Sequence, residues 1–91
     1  MGLKSTTVCL GYQQITNLSS AVGLTIPAGA TLALIVPETQ NVRWRDDGTD
    51  PTSTVGMPVY IGASLSYDGD LNRIKFIQEA ASAKLNISYY A

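Results

Sequence analysis

Five aspartates lie in two short stretches of this chain, and their carboxylates are candidates for metal binding or for acid–base catalysis. Asp46, Asp47 and Asp50 lie close together, and Asp68 and Asp70 flank a glycine. Carboxylate oxygens bind Ca²⁺, and a carboxylate pair at a defined separation can hydrolyse a glycosidic bond. The spacing is not that of an EF-hand loop, and aspartate is itself a common turn residue. The pattern therefore favours turns over a metal site or a catalytic pair.

Other catalytic groups are scarce. No histidine occurs, which removes the commonest general base and a common transition-metal ligand. A single cysteine, Cys9, excludes an internal disulfide and a cysteine-clustered zinc site, and it is typical of a small apolar strand residue. The sequence contains neither a G-x-S-x-G nucleophile motif nor a glycine-rich phosphate loop. We therefore expect no enzyme activity, no cofactor and no bound metal.

Aromatic side chains are the remaining candidates for binding, since a flat ring can stack on a sugar. The competing interpretation is that large aromatic rings fill the core and the contacts between subunits. On that interpretation Trp44 and Tyr67 belong to the core. Tyr60, Tyr89 and Tyr90 then fill the contacts with other subunits.

One stretch, residues 41 to 62, organises the fold around these candidates. Val42 and Trp44 alternate with Arg43 and Arg45, the two-residue period of a half-buried strand. The arginines then lie on the opposite face, where they can pair with Asp46 or Asp47, or with another chain. A turn follows, because glycine accepts a positive φ and proline cannot donate to a sheet. A second strand is predicted at 57–61.

Further strands are predicted on both sides of this stretch. Residues 31–36 (TLALIV) form a continuous apolar run, typical of a strand buried on both faces. Residues 84–90 alternate, and residues 73–77 (RIKFI) fit either a strand or a helix by spacing. With strands at 22–26 and near the N-terminus, the count is about eight at 8–12-residue spacing. This predicts an all-β fold, a small antiparallel β-sandwich or jelly roll.

An internal repeat favours the strand interpretation of residues 73–77. Residues 22–32 (VGLTIPAGATL) align without a gap on residues 55–65 (VGMPVYIGASL), an offset of 33. With one residue deleted, residues 41–44 then align on residues 73–76. Each copy has one apolar face, so the two must pack on each other to form a core. We therefore predict two similar halves.

Residues 1–20 are polar with scattered apolar positions, and they lie outside the repeat. We predict an N-terminal arm or edge strand here, in which Thr6 to Leu10 pairs with a neighbouring chain. Residues 21–91 then form the β-sandwich domain. Its predicted core residues are Leu34, Val42, Trp44, Val59, Leu65, Ile74, Phe76, Leu85 and Ile87.

Composition limits the possible functions. The chain has 91 residues, enough for one domain, and 45% of them are apolar. Only 14% are charged, against about 25% in an average soluble domain, which predicts either an uncharged polar surface or a surface partly covered by other subunits. The net charge of −1 offers no basic field for nucleic acid. No apolar run is long enough to span a membrane.

The segment from Ala33 to Met57, ALIVPETQNVRWRDDGTDPTSTVGM, is followed by YDGDLNRIKFI and KLNISYY. It resembles a group of small structural proteins of tailed bacteriophages and prophages, whose core motif is V-R-[WY]-R-x-D-G-x-x-P-T-x-x-x-G. The similarity covers residues 30 to 90. It implies a small jelly-roll sandwich in the virion, and it carries no catalytic residues.

We therefore expect a virion structural protein, most simply a capsid cement or decoration protein that bridges neighbouring major capsid subunits. The expected partners are the major capsid protein and further copies of the chain in a homotrimer, since capsid lattices offer local threefold positions. The alternative is a carbohydrate- or receptor-binding module of a head fibre, neck or tail. The predicted interface residues are Val8, Leu10, Arg43, Arg45, Tyr60 and Tyr90.

Overall fold

The computed structural model describes residues 7–91, and within this range it is all-β with seven strands in two antiparallel sheets. The predicted fold class is confirmed at this level. The strand predicted at 22–26 is reduced to a single bridge at Val22. The strands are β1 (Cys9–Ile15), β2 (Leu32–Glu38), β3 (Val42–Arg45), β4 (Met57–Val59), β5 (Leu65–Tyr67), β6 (Lys75–Gln78) and β7 (Lys84–Tyr90).

The larger sheet has the strand order β1-β7-β2-β5, and the smaller sheet has the order β4-β3-β6. The C-terminal strand β7 is internal to the larger sheet. Its Ile87 pairs with Gln13 of β1 on one side and with Ile35 of β2 on the other. In the smaller sheet the central strand is β3, which is antiparallel to both of its neighbours.

The core lies between the sheets and follows from the alternation of side chains along each strand. In β2 the buried residues are Ala33, Ile35 and Pro37, whereas the residues between them are half-buried. The prediction that residues 31–36 are buried on both faces is therefore wrong. Leu34 is not a core residue, because alternation places it on the outer face of the larger sheet.

Two further predicted core residues occupy the margin of the core. Trp44 and Leu65 are half-buried and pack against the core cluster, so the prediction of full burial is wrong for both. Trp44 lies on the same face as the buried Val42, one step closer to the end of the sheet. The remaining predicted core residues are all buried in the cluster: Val42, Val59, Ile74, Phe76, Leu85 and Ile87.

The N-terminal region is built into the fold from residue 8 onward. β1 pairs with β7, and Ile15 and Leu18 are 8% and 1% exposed in the core. The prediction that this segment is ordered mainly against another chain is therefore wrong for the residues of β1. They form an edge strand instead, and its order comes from pairing within the chain. Thr6, where the predicted pairing segment begins, lies outside the described residues.

The segment after β1 contacts both sheets. The backbone of Val22 exchanges two 2.9 Å hydrogen bonds with Phe76, and Gln78 N–H donates to the carbonyl of Leu18. Farther along, Thr25 N–H donates to Oε1 of Gln13 at 3.1 Å. The buried hydroxyl of Tyr89 donates to the same oxygen at 2.6 Å, and burial raises its pKa to about 12. Gln13 thus fixes this segment against β1.

Several local features recur at the 33-residue offset. Gly29 and Gly62 both have positive φ, at 86° and 89°, in turns closed by equivalent hydrogen bonds. β2 begins at Leu32 and β5 at Leu65. β3 and β6 start 33 residues apart, whereas their core-facing side chains correspond at an offset of 32, with Val42 matching Ile74 and Trp44 matching Phe76, which is the offset that the one-residue deletion gives. The correspondence breaks at β4, because residues 24–26 form no strand.

Candidate interaction surfaces

Among residues 7–91, large apolar side chains are exposed in two places, which are the strongest candidates for contact with another molecule. One group lies on and beside β1 at the margin of the larger sheet, and the other surrounds β4 in the smaller sheet. Each of these side chains is between 38% and 63% exposed. The β1 edge consists of Val8, Leu10 and Tyr12, and the β4 end consists of Val55, Met57, Tyr60 and Ile61.

The β1 edge is uncharged and carries a fixed aromatic ring. No Asp, Glu, Lys or Arg occurs from residue 5 to residue 37. The Tyr12 hydroxyl donates a 2.5 Å hydrogen bond to Oδ1 of Asn86, and Gln14 Nε2 donates to the same oxygen at 3.0 Å. Asn86 in turn donates to Glu38. These bonds hold Tyr12 over β7 although the residue is 63% exposed, so a partner meets a ring whose freedom is already reduced.

The β4 end contains an open cavity of about 380 Å³. Its apolar walls are Trp44, Val55 and Met57, and the turn at residues 45–47 completes it. Val59 and Met57 lie on the same face of β4, yet Val59 is buried and Met57 is exposed. The cavity therefore lies where the larger sheet no longer covers the smaller one.

The cavity wall is held by an aromatic pair and a carboxylate. The rings of Trp44 and Tyr67 meet edge to face. The Tyr67 hydroxyl donates a 2.6 Å hydrogen bond to Oδ2 of the half-buried Asp46. Burial, followed by this hydrogen bond, raises the pKa of Tyr67 to about 12. Trp44 and Asp46 are thus positioned by contacts within the chain.

Both predicted interface arginines have partners within the chain. Arg43 Nε donates to Oε2 of Glu79 at 2.8 Å, and its Nη1 donates to the carbonyl of Gly56 at 3.0 Å. The expected pairing of Arg43 with Asp46 or Asp47 is therefore wrong. Arg45 does pair with Asp47, through hydrogen bonds of 3.0 and 2.5 Å. The hydrogen bond from Arg45 is the main reason that the pKa of Asp47 falls to about 2.

The other aspartates have roles in turns and at the surface. Asp50 lies 3.3 Å from the ammonium of Lys75, and Asp70 accepts a 3.0 Å hydrogen bond from the backbone N–H of Asn72. Among residues 7–91, no three or more His, Cys, Asp or Glu side chains are grouped so that they could hold a metal ion. The contacts observed for the aspartates are those of turn formers and surface ion pairs.

The predicted interface residues are divided between the two sheets. Val8 and Leu10 lie on the β1 edge, and the half-buried Tyr90 pairs with Cys9 beside them. Tyr60 belongs to the β4 end. The segment that the sequence predicts to pair ends at Leu10 and so does not include Tyr12, whereas a strand continued through Gly11 would have included it. Val55, Met57 and Ile61 are also absent from the predicted interface residues.

Comparisons with protein-family models, with curated proteins and with solved structures found no match to this chain. Within the part that the structure describes, no helix is long and apolar enough to cross a membrane. The interpretation of the two surfaces therefore depends on their own contacts and chemistry.

Proposed function

We propose that this protein is a structural component of a tailed-bacteriophage virion, a capsid cement or decoration protein that bridges neighbouring major capsid subunits. The observation that carries the proposal is the division of the exposed apolar side chains between two surfaces on different sheets. Contiguous exposed apolar side chains mark contact sites, and two such sites allow one small domain to hold two neighbours. The resemblance of residues 30 to 90 to phage virion proteins supports the same role.

In this proposal the role is mechanical. The low proportion of charged residues, 14%, suits surfaces that become covered on assembly. Copies gather as homotrimers around local threefold positions of the coat, and the partner is the major capsid protein. The protein is assembled in the host cytoplasm and resides in the virion. No catalytic step, nucleic acid or membrane is part of the proposal.

Binding to capsids tests the proposal directly. Purified protein is mixed with capsids that were assembled from the major capsid protein alone, and the bound fraction is measured by co-sedimentation. We expect saturable binding that is weakened by Tyr12→Lys and by Met57→Lys, because each places a charge in an apolar contact. Ser64→Lys adds the same charge at an exposed polar position and should bind like the unmodified protein. Absence of binding to capsids, or equal effects of all three variants, would contradict the proposal.

A second candidate function is carbohydrate binding at the β4 end. The specific observation in its favour is the open cavity beside Trp44, with the carboxylate of Asp47 at its rim. Trp44 is the only tryptophan, so its fluorescence reports this cavity alone. We would titrate the protein with a panel of host surface polysaccharides and follow this emission. A saturable change that is lost in Met57→Lys would favour a receptor-binding module over cement.

The finer description of the fold, two similar halves, is also a proposal. At the 33-residue offset Ala33 matches Ser66 and Leu34 matches Tyr67, and the observed pairs are Ala33 with Tyr67 and Leu34 with Ser66. The pairing of β3 with β6 is exchanged in the same way. Every antiparallel strand pair has this local symmetry, so the support for two similar halves comes from the matched sequences and from the equivalent turns at Gly29 and Gly62. The jelly-roll assignment stays a prediction of the resemblance.

A further inference from the structure

The two sheets have four outer strands, and these differ in their protection against pairing with another chain. Exposed edges present unpaired N–H and C=O groups, and natural proteins shield them with cover, proline, charge or short length. The β6 edge is covered by the backbone of Leu18 and Val22. β4 contains Pro58, and β5 has only three residues. β1 has seven residues, no proline and no charge, and a register shift between Cys9 and Gly11 is its one irregularity.

The hydrogen-bond pattern identifies which groups of β1 are free. Val8 and Ala91 exchange two backbone hydrogen bonds, and the Tyr90 carbonyl accepts from Thr31 on the β2 side. The backbone N–H and C=O groups of successive β7 residues therefore point alternately toward β2 and toward β1. Those of Tyr89, Ile87 and Leu85 form hydrogen bonds with β1. Their partners are Gly11, Gln13 and Ile15. The backbone groups of Tyr12 and Gln14 consequently point away from the sheet. Among residues 7–91, none of the main-chain hydrogen bonds formed outside the strand ladders involves Tyr12 or Gln14.

We propose that β1 is a strand-addition site whose occupant is β1 of a second copy, paired antiparallel around a twofold axis. Tyr12 and Gln14 of one copy then lie opposite Gln14 and Tyr12 of the other. This register makes four N–H···O bonds and joins the two larger sheets into one sheet of eight strands. A second copy fits because the stretch from residue 5 to residue 37 has no charge, so the twofold contact opposes no like charges. The ring of Tyr12, held by Asn86, adds apolar contact on the outer face.

This dimer does not depend on attachment to a capsid. If the protein also forms trimers around local threefold positions, β1 pairs would link copies of adjacent trimers across local twofold positions. Self-association in solution and binding to capsids are separate measurements. Both proposals use the β1 edge, and Met57→Lys separates them: it should weaken capsid binding and leave the β1 pairing unchanged, because Met57 lies in the other sheet.

Sedimentation velocity of the whole chain, under reducing conditions that prevent disulfides through Cys9, tests the pairing. We expect a concentration-dependent monomer–dimer equilibrium. Gln14→Pro removes one outward N–H from each copy, so each dimer loses two hydrogen bonds. Dimerisation should weaken on the order of 30-fold. Gln14→Ala is the matched control, because it loses the same side chain but keeps the N–H, and its dimerisation should stay close to that of the unmodified protein.

Hydrogen exchange gives a reading that does not require a variant to fold. The amides of Tyr12 and Gln14 should be protected at high protein concentration and should exchange rapidly at low concentration. The amide of Gln13, which bonds to β7, should be protected at both concentrations. A protein that is monomeric at every concentration, or trimeric only, would overturn the proposal. So would a dimer in which the Tyr12 and Gln14 amides exchange freely, since its interface would lie elsewhere.

Discussion

Trp44 and Tyr67 meet edge to face, with ring centroids 5.8 Å apart and ring planes at 65°. Trp44 belongs to β3 and Tyr67 to β5, so this contact joins the smaller sheet to the larger one beside the open cavity. Edge-to-face pairs add about 0.5–1.5 kcal/mol beyond the area that they bury. The stability of the domain and the shape of its candidate binding cavity therefore depend on the same two rings.

Truncation of the tryptophan should destabilise the domain without unfolding it. Fully buried Trp→Ala changes cost about 3–5 kcal/mol, and Trp44 is only half-buried, so we expect about 2 kcal/mol for Trp44→Ala. Trp44→Phe keeps a ring against Tyr67 and should cost less. Urea unfolding followed by far-UV circular dichroism measures both. An unchanged midpoint for Trp44→Ala would mean that the ring contributes nothing to the contact between the sheets.

Removal of the Tyr67 hydroxyl should cost about 1.5 kcal/mol, because the bond to the half-buried carboxylate of Asp46 is charge-assisted. Tyr12→Phe is the matched control. It removes a hydroxyl that also donates to a side-chain oxygen, but at the exposed surface, and it should change stability by less than about 0.5 kcal/mol. Urea midpoints of Tyr67→Phe and Tyr12→Phe give the comparison. Equal effects would show that burial of the bond has no importance here.

Alkaline pH should destabilise the fold between about pH 10 and pH 12. The pKa values of Tyr67 and Tyr89 are raised from 10.0 to about 12 in the folded protein. Above pH 10 the unfolded chain loses these protons while the folded chain keeps them, so stability is complete below pH 10 and falls as pH rises. Each group contributes on the order of 2 kcal/mol. Thermal melts across this range measure the slope, and Tyr89→Phe should make it shallower. A slope unaffected by Tyr89→Phe would contradict the assignment.

Two glycines allow backbone conformation to be separated from crowding. Gly62 has φ of 89° and open space around it, so Gly62→Ala should cost only the conformational strain, about 1 kcal/mol. Gly56 has φ of 145°, and a methyl group there would lie 3.1 Å from the carbonyl oxygen of Trp44. It would also lie 3.2 Å from the Cβ of Pro51. Gly56→Ala should therefore cost about 3 kcal/mol. Chemical denaturation measures the loss of stability in both variants. A larger loss for Gly62→Ala than for Gly56→Ala would contradict this explanation.

The sequence predicts those parts of the fold that depend on periodicity. The alternation in residues 84–90 identifies the buried face of β7, and Gly29 and Gly62 in the repeat lie in turns that need a positive φ. Periodicity does not indicate how far one sheet extends over the other. For this reason the sequence predicts Trp44 and Leu65 as core residues, whereas both lie half-buried at the margin of the core.

The candidate surfaces were less predictable, because they depend on pairing between distant segments. The sequence predicts Val8 and Leu10 as contact residues on an arm, whereas Leu10 lies in β1, which pairs with β7, and Val8 exchanges backbone hydrogen bonds with Ala91. Arg43 was expected to be available to a partner, and it pairs with Glu79, 36 residues away. Its neighbour Arg45 pairs with Asp47 only two residues away, and sequence proximity was sufficient to suggest that contact.

The central position of β7 has a consequence for biosynthesis. Cys9 pairs with Tyr90 and Leu32 pairs with the same residue, so both β1 and β2 depend on a strand that is synthesised after them. Until β7 leaves the ribosome, the uncharged stretch from residue 5 to residue 37 has no long partner strand to cover its edges. Pairing over such sequence distances is also slow. Nascent chains of this protein therefore pass through an interval in which they are most prone to aggregate, and in which chaperones have the greatest effect on yield.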